Sequence, residues 1–435
     1  MIYLLNLISK STLSHFPLVF YFVIERGAVL TSAQHCTDNP SFLLSCATPA
    51  SRQRLQCQGT EKCDNQMPAV STPVTVTAEV ARELLDSVRY VLLDIDGVVW
   101  SGADVLPRIP KTLRYLRSIG KQIRFITNNA SVSRAKLVRQ FSQRGIEDVQ
   151  EHDIYNSGFA AALRLKKLFA DELGGDNKDV SANRSDQLVK RNIFVIGEEG
   201  LHEELRHVLA PGYVTYGMEL HDPERMGGYN SSVVATAWRQ RVLPTPLNQS
   251  KNRSGDMSDW RGGISLKDLS PFAVVVGLDL HFNMVKLACA SLLLQGERTR
   301  EPSVSSSKNV YFIATNEDPQ IPTGEEGQLL PGAGAVVSAL SVASGRRPDF
   351  VCGKPNADLA QVLFEVEGIV DPRVCLMVGD RLGTDVAFGN AANCRTMFVL
   401  SGAETMKEVA HAELTGNIAL LPDYVATSLA SLLPD

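Results

Sequence analysis

The chain predicts an α/β protein: a doubly wound parallel-sheet (Rossmann-like) core with a second α/β domain inserted into it. Two observations lead there. Short apolar runs of strand length alternate with helical patterns from about residue 77 onward, the order that builds a parallel sheet with crossover helices. Polar and acidic residues recur directly after these runs, at the carboxyl edge where open α/β sheets place their ligands.

In order, residues 77–85 read as a short amphipathic helix with Thr77 as N-cap and Glu79 in the first turn. The apolar run through Val91, Leu92 and Leu93 has the length and branching of a buried strand. Residues 110–118 form a helix that stops at Gly120, residues 123–126 a second strand ending in Thr127-Asn128-Asn129, and residues 133–145 the next helix. Residues 159–169 are helical. A second α/β unit opens at 193–197 with its helix at 200–209, and continues through a strand at 273–278, a helix at 285–295 and a strand at 310–315. Alternation resumes after Arg347 with strands at 350–352, 375–378 and 396–399 and a helix at 357–365. Segments 171–190, 243–269 and 297–308 are polar and read as insertions.

The expected organisation is an N-terminal extension over residues 1–75, either disordered or targeting; a core from 76–168 and 348–435; and an inserted α/β domain from 169–347. Within the extension, the apolar run at 16–24 is too short to span a bilayer, and Met67 offers an alternative start. An apolar content of 44% and a charged content of 21% support a sizeable core. A net charge of −5, without a basic patch interleaved with aromatics, argues against a nucleic-acid partner. The 8 cysteines include no C-x-x-C pair, so zinc spacing is missing, and reduced thiols in a reducing, cytoplasmic compartment are expected.

The chemistry sits at four strand ends: Asp94 and Asp96 before Gly97; Thr127-Asn128-Asn129; Lys354 after Gly353; and Gly379-Asp380-Arg381 with Asp385. Each has a plainer alternative: an Asx-type turn at Asp94–Asp96, a helix cap at Thr127, a solvated loop lysine at Lys354, turn acids at Asp380 and Asp385. Together and in this order they describe phosphoryl transfer through an aspartyl phosphate. One carboxylate attacks phosphorus, and water then hydrolyses the acyl phosphate. The approach of a dianion to carboxylates needs positive charge, and Mg²⁺ suits oxygen ligands. Asp94 and Asp380 would hold it by side chain and Asp96 by its backbone carbonyl, with Asp385 in support. Asp96 would protonate the leaving oxygen and later activate water. Thr127 and Asn129 would bind phosphoryl oxygens, and Lys354 would balance charge.

These motifs resemble those of the haloacid dehalogenase-like phosphatases: D-x-D-G, T-N-N, G-K-P and G-D-R-x-x-T-D. The T-N-N and G-K-P-N forms resemble the branch with a large α/β cap, which includes phosphoglycolate phosphatase, 4-nitrophenylphosphatase and pyridoxal phosphate phosphatase. The resemblance covers about residues 77–435. It implies Asp94 as nucleophile and Asp96 as acid/base. It implies Asp94, Asp96 and Asp380 around Mg²⁺, and Thr127, Asn128, Asn129 and Lys354 on the substrate phosphate. His281, in the D-x-H-F segment of the cap, is implied to reach the substrate body; Leu280 and Gly383 depart from the family pattern. The expected substrate is a small phosphorylated metabolite, 2-phosphoglycolate first and pyridoxal 5′-phosphate second, with phosphoprotein hydrolysis behind both. A homodimer through the cap is implied as well. A non-catalytic binding protein of the same fold is disfavoured because every expected acid, Thr127 and Lys354 are present.

Overall fold

The computed structural model describes residues 72–174, 191–210, 212–222, 230–240, 243–246, 260–296, 310–322 and 328–434. Most of the expected N-terminal extension and much of the three polar segments lie outside these.

Two parallel sheets organise the described residues. The first has seven strands, in the order Val74–Thr75, Tyr424–Ala426, Arg395–Val399, Cys375–Gly379, Tyr90–Leu93, Gln122–Thr127 and Ile154–Asn156. All of its pairings are parallel. Tyr90–Leu93 is buried along its whole length, which explains an apolar run without alternation. After this strand the chain steps first to one side of the sheet and later returns on the other, so the order reverses between Tyr90–Leu93 and Cys375–Gly379. The second sheet has five strands, in the order Phe350–Val351, Tyr311–Ala314, Ala273–Val276, Arg191–Ile196 and Tyr213–Tyr216, again all parallel.

Local signals account for several element ends. Thr77 caps the helix Ala78–Ser87 by accepting from Val80 N–H, and Ser133 caps Arg134–Gln143 by accepting from Lys136 N–H. Helix Asp358–Glu367 stops at Gly368 in the left-handed region.

Four features differ from the sequence expectation. Val74–Thr75 joins the core sheet as an edge strand, although it falls inside the expected extension. Phe350–Val351, assigned by sequence to the core, pairs with Tyr311–Ala314 in the second sheet. Within the polar stretch 243–269, Leu243–Pro246 and Trp260–Ile264 form an antiparallel pair, followed by a short helix Leu266–Leu269. The helix Ala333–Ser344 has no counterpart in the sequence expectation, because its small residues and valines give a weak helical stripe. Its Val336, Val337 and Leu340 pack into the core of the second sheet.

The two halves meet beside the Asn129–Ser133 loop. Helix Glu199–Leu209 packs so tightly there that a Cβ on Gly200 would lie 2.4 Å from the Ser131 carbonyl oxygen. Arg134 and Glu204 form a buried ion pair across the contact at 2.9 Å.

Candidate active site

Asp94 and Asp96 follow the strand Tyr90–Leu93 at the carboxyl edge, where the strand order reverses. Both line a cavity of about 500 Å³, together with Thr127, Asn129, Lys354 and Asp380. Gly97 makes the turn with φ of +81°, and a Cβ there would lie 2.2 Å from Asp380 Oδ2. The glycine therefore allows two strand ends to close on each other.

Lys354 links the acids. Its Nζ donates to Asp94 Oδ1 at 2.7 Å, to Asp385 Oδ1 at 2.7 Å and to the Ile126 carbonyl at 3.0 Å. Burial alone would lower the lysine pKa, but Asp385 and Asp94 outweigh it and hold the ammonium above its usual value, fully protonated. Asp385 is spent inside the protein: its other oxygen accepts from the N–H groups of Asp380 and Arg381, each at 3.1 Å. This oxygen closes the π-turn at Leu382–Val386 and fixes Asp380 at the strand end.

Oxygens of Asp94, Asp380 and Asp385 lie within 4.8 Å of one another. The carboxylate of Asp96 stands outside this trio. Burial pushes Asp94 well above the carboxylate range; Lys354 offsets part of this, and Asp385 and Asp380 add to it. Burial and then the charge of Asp385 push Asp380 up to about 7. Three carboxylates around one lysine leave the cluster short of positive charge. An all-oxygen donor set with that deficit fits a hard divalent cation.

Thr127 is buried, and its Oγ1 accepts from Asn129 N–H at 3.1 Å, leaving the hydroxyl proton to donate elsewhere. Asn129 Oδ1 accepts from Ser131 N–H and Oγ–H, so its amide nitrogen is the group left over. Asn128 also lines the cavity, and its side chain is engaged within the protein. Its Nδ2 donates to Asp318 Oδ2 at 3.0 Å and to the Lys354 carbonyl at 2.9 Å, and its Oδ1 accepts from Lys354 N–H at 2.8 Å. The Asn128 side chain clamps three loops together.

His281 is exposed and does not line the cavity; its ring stacks on His221 at 4.5 Å. Leu278, three residues earlier, does line it. Sequence reasoning did not single out Asn316, Asp318 or Arg381, which also line the cavity. Asn316 and Asp318 follow a strand end by the same rule as the four motifs, and Arg381 stood inside one of them. Arg381 has no ion pair or side-chain hydrogen bond among the described residues, and its charge acts on Asp96, Asp318, Asp380 and Glu404. No helix among the described residues is long and apolar enough to cross a membrane.

A model described as haloacid dehalogenase-like hydrolase matches residues 91–209, and a HAD-hydrolase-like model matches residues 351–432. Phosphoglycolate phosphatase 2 of Arabidopsis thaliana is 30% identical over 361 residues, covering 83% of this chain and 97% of that protein. Chronophin of Homo sapiens is 30% identical over 353 residues, covering 81% of this chain and 94% of that protein. The crystal structure of a 4-nitrophenylphosphatase from Thermotoga maritima shares the fold with a TM-score of 0.55 at 24% identity, covering 80% of this chain and 97% of that one. With the two strand-end acids, the lysine that bridges Asp94 and Asp385, and relatives of this similarity over nearly their full length, the chain belongs to the haloacid dehalogenase-like hydrolases, as one of their phosphoric monoester hydrolases.

Proposed function

We propose that the protein hydrolyses small phosphate monoesters through an aspartyl phosphate on Asp94, with Mg²⁺ as cofactor and 2-phosphoglycolate as preferred substrate. The observation that carries this reading is the Lys354 ammonium, buried at 3% exposure and 2.7 Å from an oxygen of Asp94. It holds one Asp94 oxygen in place and leaves the other for in-line attack. Asp96 opens onto the same cavity and protonates the departing oxygen, then takes a proton from water in the second step. Protein mass around it pushes its pKa up, which favours the acid form that the first step needs. The Thr127 hydroxyl and the Asn129 amide donate to phosphoryl oxygens. Asp94 and Asp380 would hold Mg²⁺, joined by the Asp96 backbone carbonyl, and when bound the ion supplies charge neutralisation for the phosphoryl group. Asp385 positions Lys354 and Asp380.

The substrate choice rests on Arg381. A cavity-lining arginine with no side-chain hydrogen bond among the described residues suits a substrate with a carboxylate beyond its phosphate. Pyridoxal 5′-phosphate lacks that carboxylate. The test is phosphate release by purified protein, with and without Mg²⁺, comparing kcat/KM for the two substrates in wild type, Asp94→Asn and Arg381→Met. Mg²⁺-dependent turnover, abolished in Asp94→Asn, with a preference for 2-phosphoglycolate that Arg381→Met erases, is the expected result. Equal activity in Asp94→Asn would refute the mechanism, and a preference for pyridoxal 5′-phosphate would refute the substrate.

A further inference from the structure

Asp96 does not stand free in the cavity. Its Oδ1 accepts a hydrogen bond from the indole Nε1–H of Trp100 at 3.0 Å. The backbone reinforces the pairing, with Gly97 N–H donating to the Trp100 carbonyl at 2.7 Å and Val99 N–H to the Ile95 carbonyl at 2.8 Å. A tight turn thus brings the chain back onto the acid that it has just presented.

The indole is held from its other side as well. Trp100 is 4% exposed, its ring lies 4.7 Å from that of Phe141, and the Arg144 guanidinium covers it at 4.6 Å. Arg144 also donates to the Gly102 carbonyl at 3.4 Å, which ties down the hairpin that Trp100 begins. Phe141 lies in the helix Arg134–Gln143 and Arg144 follows it, so the orientation of Asp96 is set by a segment more than one strand away in sequence.

An indole N–H is a donor only. An oxygen that accepts from it is occupied as an acceptor and is a poor place for a proton. We infer that Trp100 is a positioning residue for Asp96: its N–H gives the two carboxyl oxygens different tasks. Oδ1 is held by the protein, and Oδ2 is the oxygen that gives and takes the proton. The inference rests on the reading of Asp96 as acid/base made above. In the step concerned, an Asp94 oxygen bonds to phosphorus and the bond from phosphorus to the ester oxygen breaks. The electron pair stays on that ester oxygen, which receives the proton from Asp96 Oδ2. A misdirected Asp96 slows this step in proportion to the leaving group's need for the proton. An alkoxide needs it greatly; 4-nitrophenolate needs it little.

The test compares kcat/KM for an alkyl phosphate, 2-phosphoglycolate, with that for 4-nitrophenyl phosphate at saturating Mg²⁺, in wild type and Trp100→Phe. Phenylalanine keeps an aromatic ring against Phe141 and Arg144 and removes the N–H. Both esters are measured on one sample, so the folded fraction cancels in their ratio. The ratio of alkyl to aryl turnover is expected to fall about tenfold, part of the 10²–10⁴ that general acid catalysis supplies. An equal loss on both esters assigns Trp100 to packing alone and overturns the inference, as does no loss. Should Trp100→Phe fail to fold, replacing Trp100 by benzothienylalanine, which keeps the bicyclic shape and has sulfur in place of N–H, gives the same reading. A wild type inactive on both esters would bring down the acid–base reading itself, and this assignment with it.

Discussion

Glu219 offers a quantitative test of the electrostatics inside the second domain. It sits in the turn Met218–Leu220 at 3% exposure. Its Oε2 accepts from Gly217 N–H at 2.7 Å, and its Oε1 is buried without a partner among the described residues. Burial pushes its pKa from 4.5 to about 7, against the pull of backbone N–H groups and of Lys286, whose own ammonium is paired to Asp279 at 2.5 Å. The folded state therefore keeps a proton that the unfolded chain releases from pH 4.5 upward. Stability must fall as pH rises between these two values and then level off, by roughly 3 kcal/mol in all. Glu219→Gln keeps an acceptor for Gly217 and cannot ionise. The variant should match wild type near pH 4.5 and exceed it by about 3 kcal/mol at pH 8. The comparison must be a difference between the two proteins, because His221 works the other way. Burial lowers its pKa from 6.5 to about 4, so it returns stability over nearly the same range and masks Glu219 in wild type alone. Urea unfolding of both proteins at intervals from pH 4.5 to 8 measures the difference. A difference that stays flat across that range would refute a buried, protonated Glu219.

Two further substitutions probe the site. Lys354→Met leaves Asp94 and Asp385 buried without their cation, which should cost about 3–5 kcal/mol of stability and at least about a hundredfold in kcat; thermal denaturation and phosphate release check the two effects separately. Gly97→Ala places a methyl group 2.2 Å from Asp380 Oδ2 in a backbone region that disfavours side chains. The Mg²⁺ concentration needed for half-maximal activity should rise about tenfold or more, with the melting temperature changed far less than in Lys354→Met.

Much of the core was legible because its signals are local. Buried strands such as Tyr90–Leu93 and Cys375–Gly379 are apolar throughout, and the residues after them are polar because they leave the sheet at its ligand-facing edge. The cap at Thr77 follows from one side chain meeting one backbone N–H three residues on. Less legible were short edge strands. Val74–Thr75 and Phe350–Val351 have two residues each, too few to carry a period, and each is defined by the neighbour it pairs with. The helix Ala333–Ser344 is likewise faint in the sequence, because packing against the second sheet stabilises it.

The sequence by itself determined the chemical inventory: two acids after a buried strand, a threonine, a lysine and a second acidic strand end, in an order that only a parallel sheet brings together. It could do so because strand direction and strand ends are properties of neighbouring residues. Tertiary structure alone decided how those groups are used. Lys354 spans Asp94 and Asp385, which lie 260 and 31 residues away. The Asn128 side chain is taken by Asp318 and Lys354 instead of being left to substrate. His281 stands beside His221 and away from the cavity, while Arg381 lines it. Hydrogen bonds and burial depend on what the folded chain brings within about 3 Å of each atom, and no periodicity along the chain encodes that.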